Sequence, residues 1–443
     1  MAKKKTYYYI DASALVTQDF YLLLERLMRD ESAVFLLDSE LRREIEGDRR
    51  LGAEWDALAM ESFVDLLASI PGSMQVNTCG GFDPSVLTPF AREGLVVLTT
   101  RRRIFESFRT LGEKVSFFRP VAGDMEPFVD DYSENLPSYW PEQDVYVNPF
   151  DAEQLDTVYS PRYGYLKLDK SSGYSGGEGV CYRSYNGLLC KIYFKKHITY
   201  VNYKKLQAMV EMGCSTPYIS WPLDILYYRN QFVGYVMEEL TDTRSVDELR
   251  DDNFSGFRIL DRFIIVRNFL SIIEYLHERK ILVGDMKLDN ILVKPSKEVY
   301  LIDAGSFQVE DYPCDVCHKE YTERIYTGDD LKHILRCERE EYFPINKIIF
   351  EMLMLKNPFY SRNNTEIDGD GSREFSYPLE LPQDASDLPY HLRVWYALSP
   401  NMRRYFHSYF TEGKLTHVSE WLRELDLYIL ARERAMQQAQ NQA

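Results

Sequence analysis

Long apolar runs are missing from this sequence. No stretch approaches the roughly 18 residues that a membrane-spanning helix needs, so no membrane partner is expected. Basic charge is in deficit. The 52 Lys and Arg stand against 69 Asp and Glu, a formal net charge of −17. Binding a polyanion requires a basic footprint, so RNA or DNA is not a favoured partner of the whole chain. Cysteine is sparse, at seven in 443 residues. The opening M-A-K-K-K-T-Y-Y-Y-I-D is basic but has no apolar stretch before Asp11, so no secretory signal is expected. These features together predict reduced thiols and a cytoplasmic location. The composition of a disordered chain is absent too. Hydrophobic residues make up 45% and aromatics 14%, enough for a sizeable core, and the length allows two or three domains.

The negative charge is uneven. Residues 123–165 hold ten acidic side chains and one arginine. Five prolines (Pro127, Pro137, Pro141, Pro149, Pro161) lie in the same stretch, with Phe128, Tyr132, Tyr139, Trp140 and Tyr146. Proline and charge predict an extended linker over 123–164, and the aromatics predict that part of it docks as a strap.

Residues 1–122 alternate strand and helix patterns. Tyr7 to Ile10, Ala33 to Leu37, Leu95 to Leu98 and Val115 to Phe118 read as strands. Apolar and charged helical patterns separate them. This order predicts a mostly parallel α/β (Rossmann-like) sandwich. Ligands of such sheets sit at the carboxyl ends of strands, where Asp11 falls. I-D-A-S-A-L after the first strand resembles the opening of a PIN-type domain, a metal-dependent ribonuclease fold. F-L-L-D-S-E-L-R-R-E-I resembles its second signature, with Glu44 as the matching acid, and G-F-D-P-S-V-L its third, with Asp83. The resemblance implies a divalent-metal site on Asp11, Glu44 and Asp83. The fourth signature departs, because L-T-T-R-R-R places Arg101 where an acid is usual, and three acids with an arginine make a weaker site. Arg101, Arg102 and Arg103 could instead bind phosphate. The alternative is a regulatory or binding α/β domain whose acids cap helices.

The richest chemistry lies between Gly284 and Gly305, in G-D-M-K-L-D-N-I-L-V-K-P-S-K-E-V-Y-L-I-D-A-G. Asp285, Lys287, Asn290 and Asp303 fall on a loop, a short hairpin and its exit. This is what phosphoryl transfer requires: a carboxylate to orient the attacking hydroxyl, a lysine to neutralise the moving group, and an amide and a carboxylate for magnesium. A polar turn between two strands would explain the pattern less fully. Upstream, S-G-G-E-G-V-C-Y frees the backbone at Gly176, Gly177 and Gly179 to approach phosphates. L-L-C-K-I-Y-F then buries Lys191 in an apolar strand, where it needs an anion. Lys204 to Met212 reads as a helix. Two strands follow around Arg229-Asn230 and end at Met237, Glu238, Glu239 and Leu240. A long helix over Phe263 to Glu278 leads into the Gly284 stretch.

These segments, in this order from about residue 160 to 430, resemble the Hanks-type protein kinase fold. They are similar above all to a bacterial subfamily found alongside tellurium-resistance-type von Willebrand domain proteins and protein phosphatases. The resemblance rests on G-G-E-G-V-C-Y, I-S-W-P, F-V-G-Y-V-M, V-G-D-M-K-L-D-N-I-L-V, Y-P-C, E-Y-T, L-R-C-E-R-E-E-Y-F, N-P-F-Y-S and Y-A-L-S-P-N-M-R-R-Y-F. It implies a two-lobed α+β domain over 165–431 and a polar tail over 432–443 that should fray. It implies ATP with Mg2+, or Mn2+, a protein substrate, and a von Willebrand-type protein or a phosphatase as partners. Asp285 would be the base, Lys287 would contact the γ-phosphoryl group, and Asn290 and Asp303 would hold the metal. Lys191 would bind the α- and β-phosphates under Gly176, Gly177 and Gly179. Met237 would be the gatekeeper, with Glu238 to Leu240 as the adenine hinge. Departures are expected to alter regulation. Gly284 replaces the arginine before the catalytic acid, and Ala304 stands where Phe is common. The lysine-pairing glutamate of the small-lobe helix is not evident: the register offers Tyr203 or Lys204, and Glu211 is the helix's only acid. Glu341 stands where an aspartate anchors the catalytic loop, and Ile325 falls near a usual glutamate. A pseudokinase scaffold and a nucleotide-controlled ribonuclease are the alternative functions. Cys314, Cys317, His333 and Cys337 have zinc-like spacing, against ordinary thiols. Tyr321, Thr322 and Thr327 are candidate autophosphorylation sites.

Overall fold

A computed structural model describes residues 5–52, 54–78, 83–100, 102–128, 151–184, 187–322, 335–359, 375, 377–380, 388 and 390–442. The chain divides into two compact units. One is Met1–Ser133 with Ser215–Pro217 and Ile273–Ile281; the other is Glu134–Cys214, Tyr218–Ile272 and Leu282–Ala443.

In the first unit, β1 (Thr6–Ile10), β2 (Ala33–Asp38), β3 (Met74–Val76), β4 (Leu95–Leu98) and β5 (Val115–Val121) form a parallel sheet in the order β3-β2-β1-β4-β5. The antiparallel strand β6 (Asp124–Pro127) closes its edge. The helices are α1 (Ala12–Leu15), α2 (Gln18–Met28), α3 (Leu41–Arg50), α4 (Glu54–Ala68), α5 (Thr88–Glu93) and α6 (Arg102–Phe108). Both sheet faces are buried, as parallel sheets require. Along β1, Tyr8 and Ile10 join the core that holds Phe20, Leu23 and Met60. Tyr7 and Tyr9 alternate to the other face, against Leu87, Ile104 and Phe108. The expected parallel α/β arrangement is therefore present. The strand order reverses between β1 and β4, where doubly wound sheets leave a crevice at the strand carboxyl ends.

In the second unit, β7 (Thr157–Ser160), β8 (Gly164–Ser175), β9 (Gly179–Ser184), β10 (Leu188–Tyr193), β11 (Asp224–Tyr228) and β12 (Gln231–Glu238) form a closed barrel in the order β10-β12-β11-β7-β8-β9. The expected linker over 123–164 is thus corrected at both ends. Residues 124–127 belong to the first sheet and 157–160 to the barrel. Leu155 and Val158 are buried in the barrel core, which outweighs the local charge. Residues 129–150, with most of the expected strap, lie outside the described residues. The β11–β12 hairpin turns at Arg229 and Asn230, with φ of +47° and +64°. Positive φ at both central residues matches the twist of the flanking strands. Helix α7 (Tyr200–Met212) follows β10, capped by the Thr199 hydroxyl on the Asn202 N–H.

The remaining part is helical: α8 (Val246–Asp251), α9 (Ile259–Glu278, of which the residues from Ile273 on belong to the first unit), α10 (Glu338–Met354), α11 (Tyr390–Ala397), α12 (Pro400–Glu412) and α13 (Val418–Gln442). A small sheet of β13 (Arg244–Ser245), β14 (Ile291–Val293) and β15 (Val299–Leu301) carries the chemistry-rich stretch. Phe350 packs edge-on against Phe375, Tyr377 and Phe406, which uses part of the aromatic excess. The polar tail is not frayed coil, because α13 continues to Gln442 as a helix whose side chains are exposed from residue 432 to 440. Ala, Gln, Glu, Arg and Met are strong helix formers, and that propensity prevails over their polarity. Among the described residues, no helix is long and apolar enough to cross a membrane.

Candidate functional site

The site in the second unit begins with strand alternation. Cys190 and Ile192 point into the barrel core, so Lys191 points to the opposite face. Cross-strand pairing places Cys181 and Tyr235 beside Lys191. The amine lies 5.4 Å from the Tyr193 ring centroid and 5.9 Å from that of Tyr235. It pairs with Glu178 Oε2 at 2.6 Å and with Asp303 Oδ1, which lies 112 residues further on. Burial opposes the charge on Lys191. The oxygens of Tyr235, Asp303, Tyr193 and Glu178 outweigh that and hold its pKa well above the ordinary lysine value. Burial also pushes the neighbouring Cys181 thiol up to about 11, which keeps it neutral.

Asp285 and Asp303 are fixed by the loop and hairpin the sequence predicts. The Lys287 amine lies 3.3 Å from Asp285 Oδ2. The Asn290 amide donates to the Asp285 carbonyl at 3.1 Å. The Ile302 N–H donates to the Asn290 carbonyl at 3.0 Å, so the hairpin brings Asn290 and Asp303 to neighbouring strand ends. Asp303 has left-handed backbone angles, φ 63° and ψ 36°. Such strain in a non-glycine residue persists only where the surroundings enforce it. Here the Ser306 N–H and hydroxyl both donate to the Asp303 carbonyl, at 3.0 and 2.8 Å.

The glycine loop is divided. Gly179 is paired within β9, and a Cβ there would run into the carbonyl of Ile192, so it serves the approach of two strands. At the turn Gly177 stands in open space and a Cβ on Gly176 would meet only the Gly179 carbonyl, at 3.9 Å, with the Gly176 N–H donating to that carbonyl at 2.9 Å. Met237 is buried at the end of β12 beside Leu189. Glu238 is exposed, Leu240 is half-buried, and Glu239 pairs with Arg183 at 2.5 Å.

Three departures from the expected pattern find physical reasons. Gly284 has φ +71°, and a Cβ there would lie 2.5 Å from Cys314 Sγ, so no arginine fits. A guanidinium arrives from elsewhere: buried Arg336 donates to the carbonyls of Gly284, Val316 and Cys314. Glu341 does anchor the loop, accepting the Gly284 N–H at 2.7 Å. In α7 the inward residue is neither Tyr203 nor Lys204. Lys205 is 2% exposed and donates to the Pro313 carbonyl at 3.2 Å, whereas Glu211 is exposed at the helix end. Burial lowers the Lys205 pKa below the ordinary value. Glu178, Lys205 and Arg336 are the residues of this candidate site that the sequence alone did not single out. The signal for Glu178 was present, as an acid between the glycines of S-G-G-E-G.

Tyr321 is a poor phosphorylation target, because it is buried and its hydroxyl donates to Glu351 Oε2 at 2.8 Å. Thr322 is half-buried. Thr327, Ile325 and His333 lie outside the described residues. Cys181, Cys190, Cys214, Cys314, Cys317 and Cys337 are free thiols, and among the described residues no group of three His, Cys, Asp or Glu could hold a metal. Cys314 Sγ is instead directed at the Val316 carbonyl, at 3.2 Å.

In the first unit, Asp11 is buried at the end of β1. It accepts from the Ser13 hydroxyl at 2.5 Å and the Thr99 hydroxyl at 3.1 Å. Asp38, which the sequence reading passed over, ends β2 and accepts from the Tyr9 hydroxyl at 2.8 Å and from Thr78. Asp83 caps a short helical turn through the Ser85 N–H, and Glu44 is buried on α3. The structure therefore does not gather Asp11, Glu44 and Asp83 into one ligand set among the described residues. The Arg101 to Arg103 side chains lie outside the described residues.

No family model matches the chain. It is 28% identical over 142 residues to the serine/threonine-protein kinase US3 homolog of Cercopithecine herpesvirus 9 (strain DHV), covering 29% of this chain and 40% of that protein. It is 28% identical over 123 residues to protein kinase C-like 2 of Schizosaccharomyces pombe, covering 26% and 12%. It is 24% identical over 189 residues to protein kinase C eta type of Mus musculus, covering 41% and 25%. The chain thus spans no more than 40% of the length of these relatives. A solved structure described as the ROP18 kinase domain in complex with AMP-PNP and sucrose superposes with a TM-score of 0.42 at 12% identity, over 64% of this chain and 87% of the other. The sequence similarities support a protein kinase-like domain in this chain, related at a distance to serine/threonine kinases.

Proposed function

We propose that the second unit transfers the γ-phosphoryl group of ATP to serine or threonine hydroxyls of proteins, with a divalent cation, Mg2+ first, as cofactor. The observation that carries this is the ion pair of buried Lys191 with Asp303 across 112 residues of sequence, beside a loop that holds Asp285, Lys287 and Asn290 together. A lysine in a barrel strand and an acid beyond a hairpin are brought to one point, and that point suits nucleotide phosphates.

The donor set fits a hard cation, because Asp303 and Asn290 offer oxygen ligands on neighbouring strand ends. A divalent ion on those two residues would neutralise phosphate charge. The chain's own groups do the rest. Lys191 binds the α- and β-phosphates, and Gly176 and Gly177 give the turn room to cover them. Asp285 orients the substrate hydroxyl and takes its proton as the new O–P bond forms. The bond from the γ-phosphorus to the β,γ-bridging oxygen breaks, and ADP carries away that electron pair. Lys287, held close to Asp285, offsets charge on the moving phosphoryl group.

The test is incubation of the full chain with γ-labelled ATP and Mg2+, followed by phosphoamino-acid analysis. Label on serine or threonine of the protein or an added acceptor, lost in Asp285→Ala, supports the proposal. Equal labelling of the two proteins would refute it. Ribonuclease activity of the first unit is not proposed, because Asp11 and Asp83 are engaged separately by hydroxyls and backbone.

A further inference from the structure

A buried strand lysine that binds nucleotide needs an acid to aim it. In protein kinases that acid comes from the small-lobe helix, and the pair must be in place for activity. Helix α7 cannot supply it here. Its one acid, Glu211, is exposed in the last turn, and its inward face consists of Lys205, Leu206 and Met209. The buried charged side chain that the helix offers is a cation, Lys205, and it donates to the Pro313 carbonyl.

The acid arrives from the other side. Glu178 lies in the turn between β8 and β9, and its carboxylate is 2.6 Å from the Lys191 amine. Neither side chain is open to solvent: 7% of Lys191 and 14% of Glu178 is exposed. The Glu178 backbone is held from both sides. Its carbonyl accepts the Phe194 N–H at 2.8 Å, and the next residue, Gly179, is clamped in the ladder opposite Tyr193. A turn fixed this tightly aims its side chain. The Tyr193 and Tyr235 rings flank the amine, and the buried Tyr235 hydroxyl has no hydrogen-bond partner among the described residues.

The second acid on Lys191 has another task. Asp303 is the residue suited to a divalent cation, so a metal nucleotide would compete with the lysine for its carboxylate. Glu178 has no competing role and stays. Lys205, meanwhile, ties α7 to the Pro313 carbonyl in the segment after Asp303.

We infer that the helix-to-strand ion pair of protein kinases is replaced in this chain by a loop-to-strand pair, with Glu178 as the positioning residue for Lys191. The polarity is exchanged: the nucleotide-covering loop carries the acid and the helix carries the cation. The lysine is then aimed by the loop that closes over the phosphates, and movement of α7 does not release it. This inference rests on the kinase reading.

The test compares full-length wild type, Glu178→Gln, Glu178→Asp and Glu211→Gln. Phosphoryl transfer is measured against ATP concentration. The pH dependence of Lys191 acylation by an amine-reactive reagent is followed by mass spectrometry. Glu178→Gln is expected to lower kcat about ten- to a hundredfold at saturating ATP, the scale of a misplaced reacting group. Glu178→Asp should recover part of it, and Glu211→Gln should match wild type. Loss of the carboxylate should also move Lys191 acylation to lower pH, which a loop with a merely structural role would not do. Unchanged kcat and an unchanged acylation profile in Glu178→Gln would overturn the inference. If wild type transfers no phosphoryl group, the kinase reading fails, and the acylation shift still decides whether Glu178 governs Lys191.

Discussion

Two buried polar clusters, one in each unit, use carboxylates in opposite ways. In the first unit, Asp11 and Asp38 accept from Ser13, Thr99, Tyr9 and Thr78. These donors are neutral, and the backbone N–H groups of Ser13, Glu40 and Thr78 donate to the same two carboxylates. In the second unit, Glu178, Asp303 and Asp285 face lysines. Neutral donors of fixed geometry make a network whose loss costs stability. Charged partners can be exchanged for others of like charge, such as a metal for Lys191 on Asp303 or a phosphate for Asp303 on Lys191. Similar side chains thus make a hydrogen-bonded strut in one unit and the proposed phosphoryl-transfer site in the other.

Substitutions can break or sharpen this contrast. The largest effect is expected at Asp285. Asp285→Asn should lower phosphoryl transfer by about 10³-fold, within the usual range for a general base, and leave nucleotide affinity near wild type. Rapid-quench kinetics and fluorescent-nucleotide titration would check both. Next comes Arg336, whose charged donors hold three carbonyls around Gly284. Arg336→Met should destabilise the second unit by about 3 kcal/mol in urea unfolding, and should lower activity in proportion to the fraction unfolded. Asp38→Ala should cost the first unit about 2 kcal/mol, because the buried Tyr9 hydroxyl loses its carboxylate acceptor. It should leave phosphoryl transfer unchanged, and loss of transfer there would dissolve the contrast.

The smallest effect is a pH slope. The folded-state pKa of Lys205 is lowered, chiefly by burial. Between that pKa and the unfolded value near 10.5, the unfolded chain binds more protons, so stability rises with pH. Urea midpoints measured between pH 8 and pH 10 should rise less in Lys205→Met than in wild type. Equal slopes would place the Lys205 amine in contact with water.

Much of this was legible in the sequence because it is local. Arg229-Asn230 between two apolar runs specifies a tight hairpin. The D-x-K-x-x-N spacing and the hairpin after it place Asp285, Lys287, Asn290 and Asp303 with no long-range information. The alternation of Cys190, Lys191 and Ile192 already puts the lysine outside the barrel. What could not be read is contact at a distance. Gly284 looks like a lost arginine until Arg336, 52 residues later, is found donating to its carbonyl. Glu178 looks like a loop residue until the β9–β10 register turns it onto Lys191. In α7 a one-residue error of phase hid Lys205 behind Lys204. The acidic stretch around residue 157 reads as linker because its charges face outward while Leu155 and Val158 fill the barrel.

The proposed function requires that a metal nucleotide compete with the Lys191–Asp303 pair. Calorimetric titration of AMP-PNP into the full chain, with and without Mg2+, tests it most directly. Wild type should bind more tightly with Mg2+, Asp303→Asn should lose at least about tenfold of that gain, and Lys191→Met should weaken binding in both conditions. Equal affinity in all three proteins, with or without Mg2+, would contradict it.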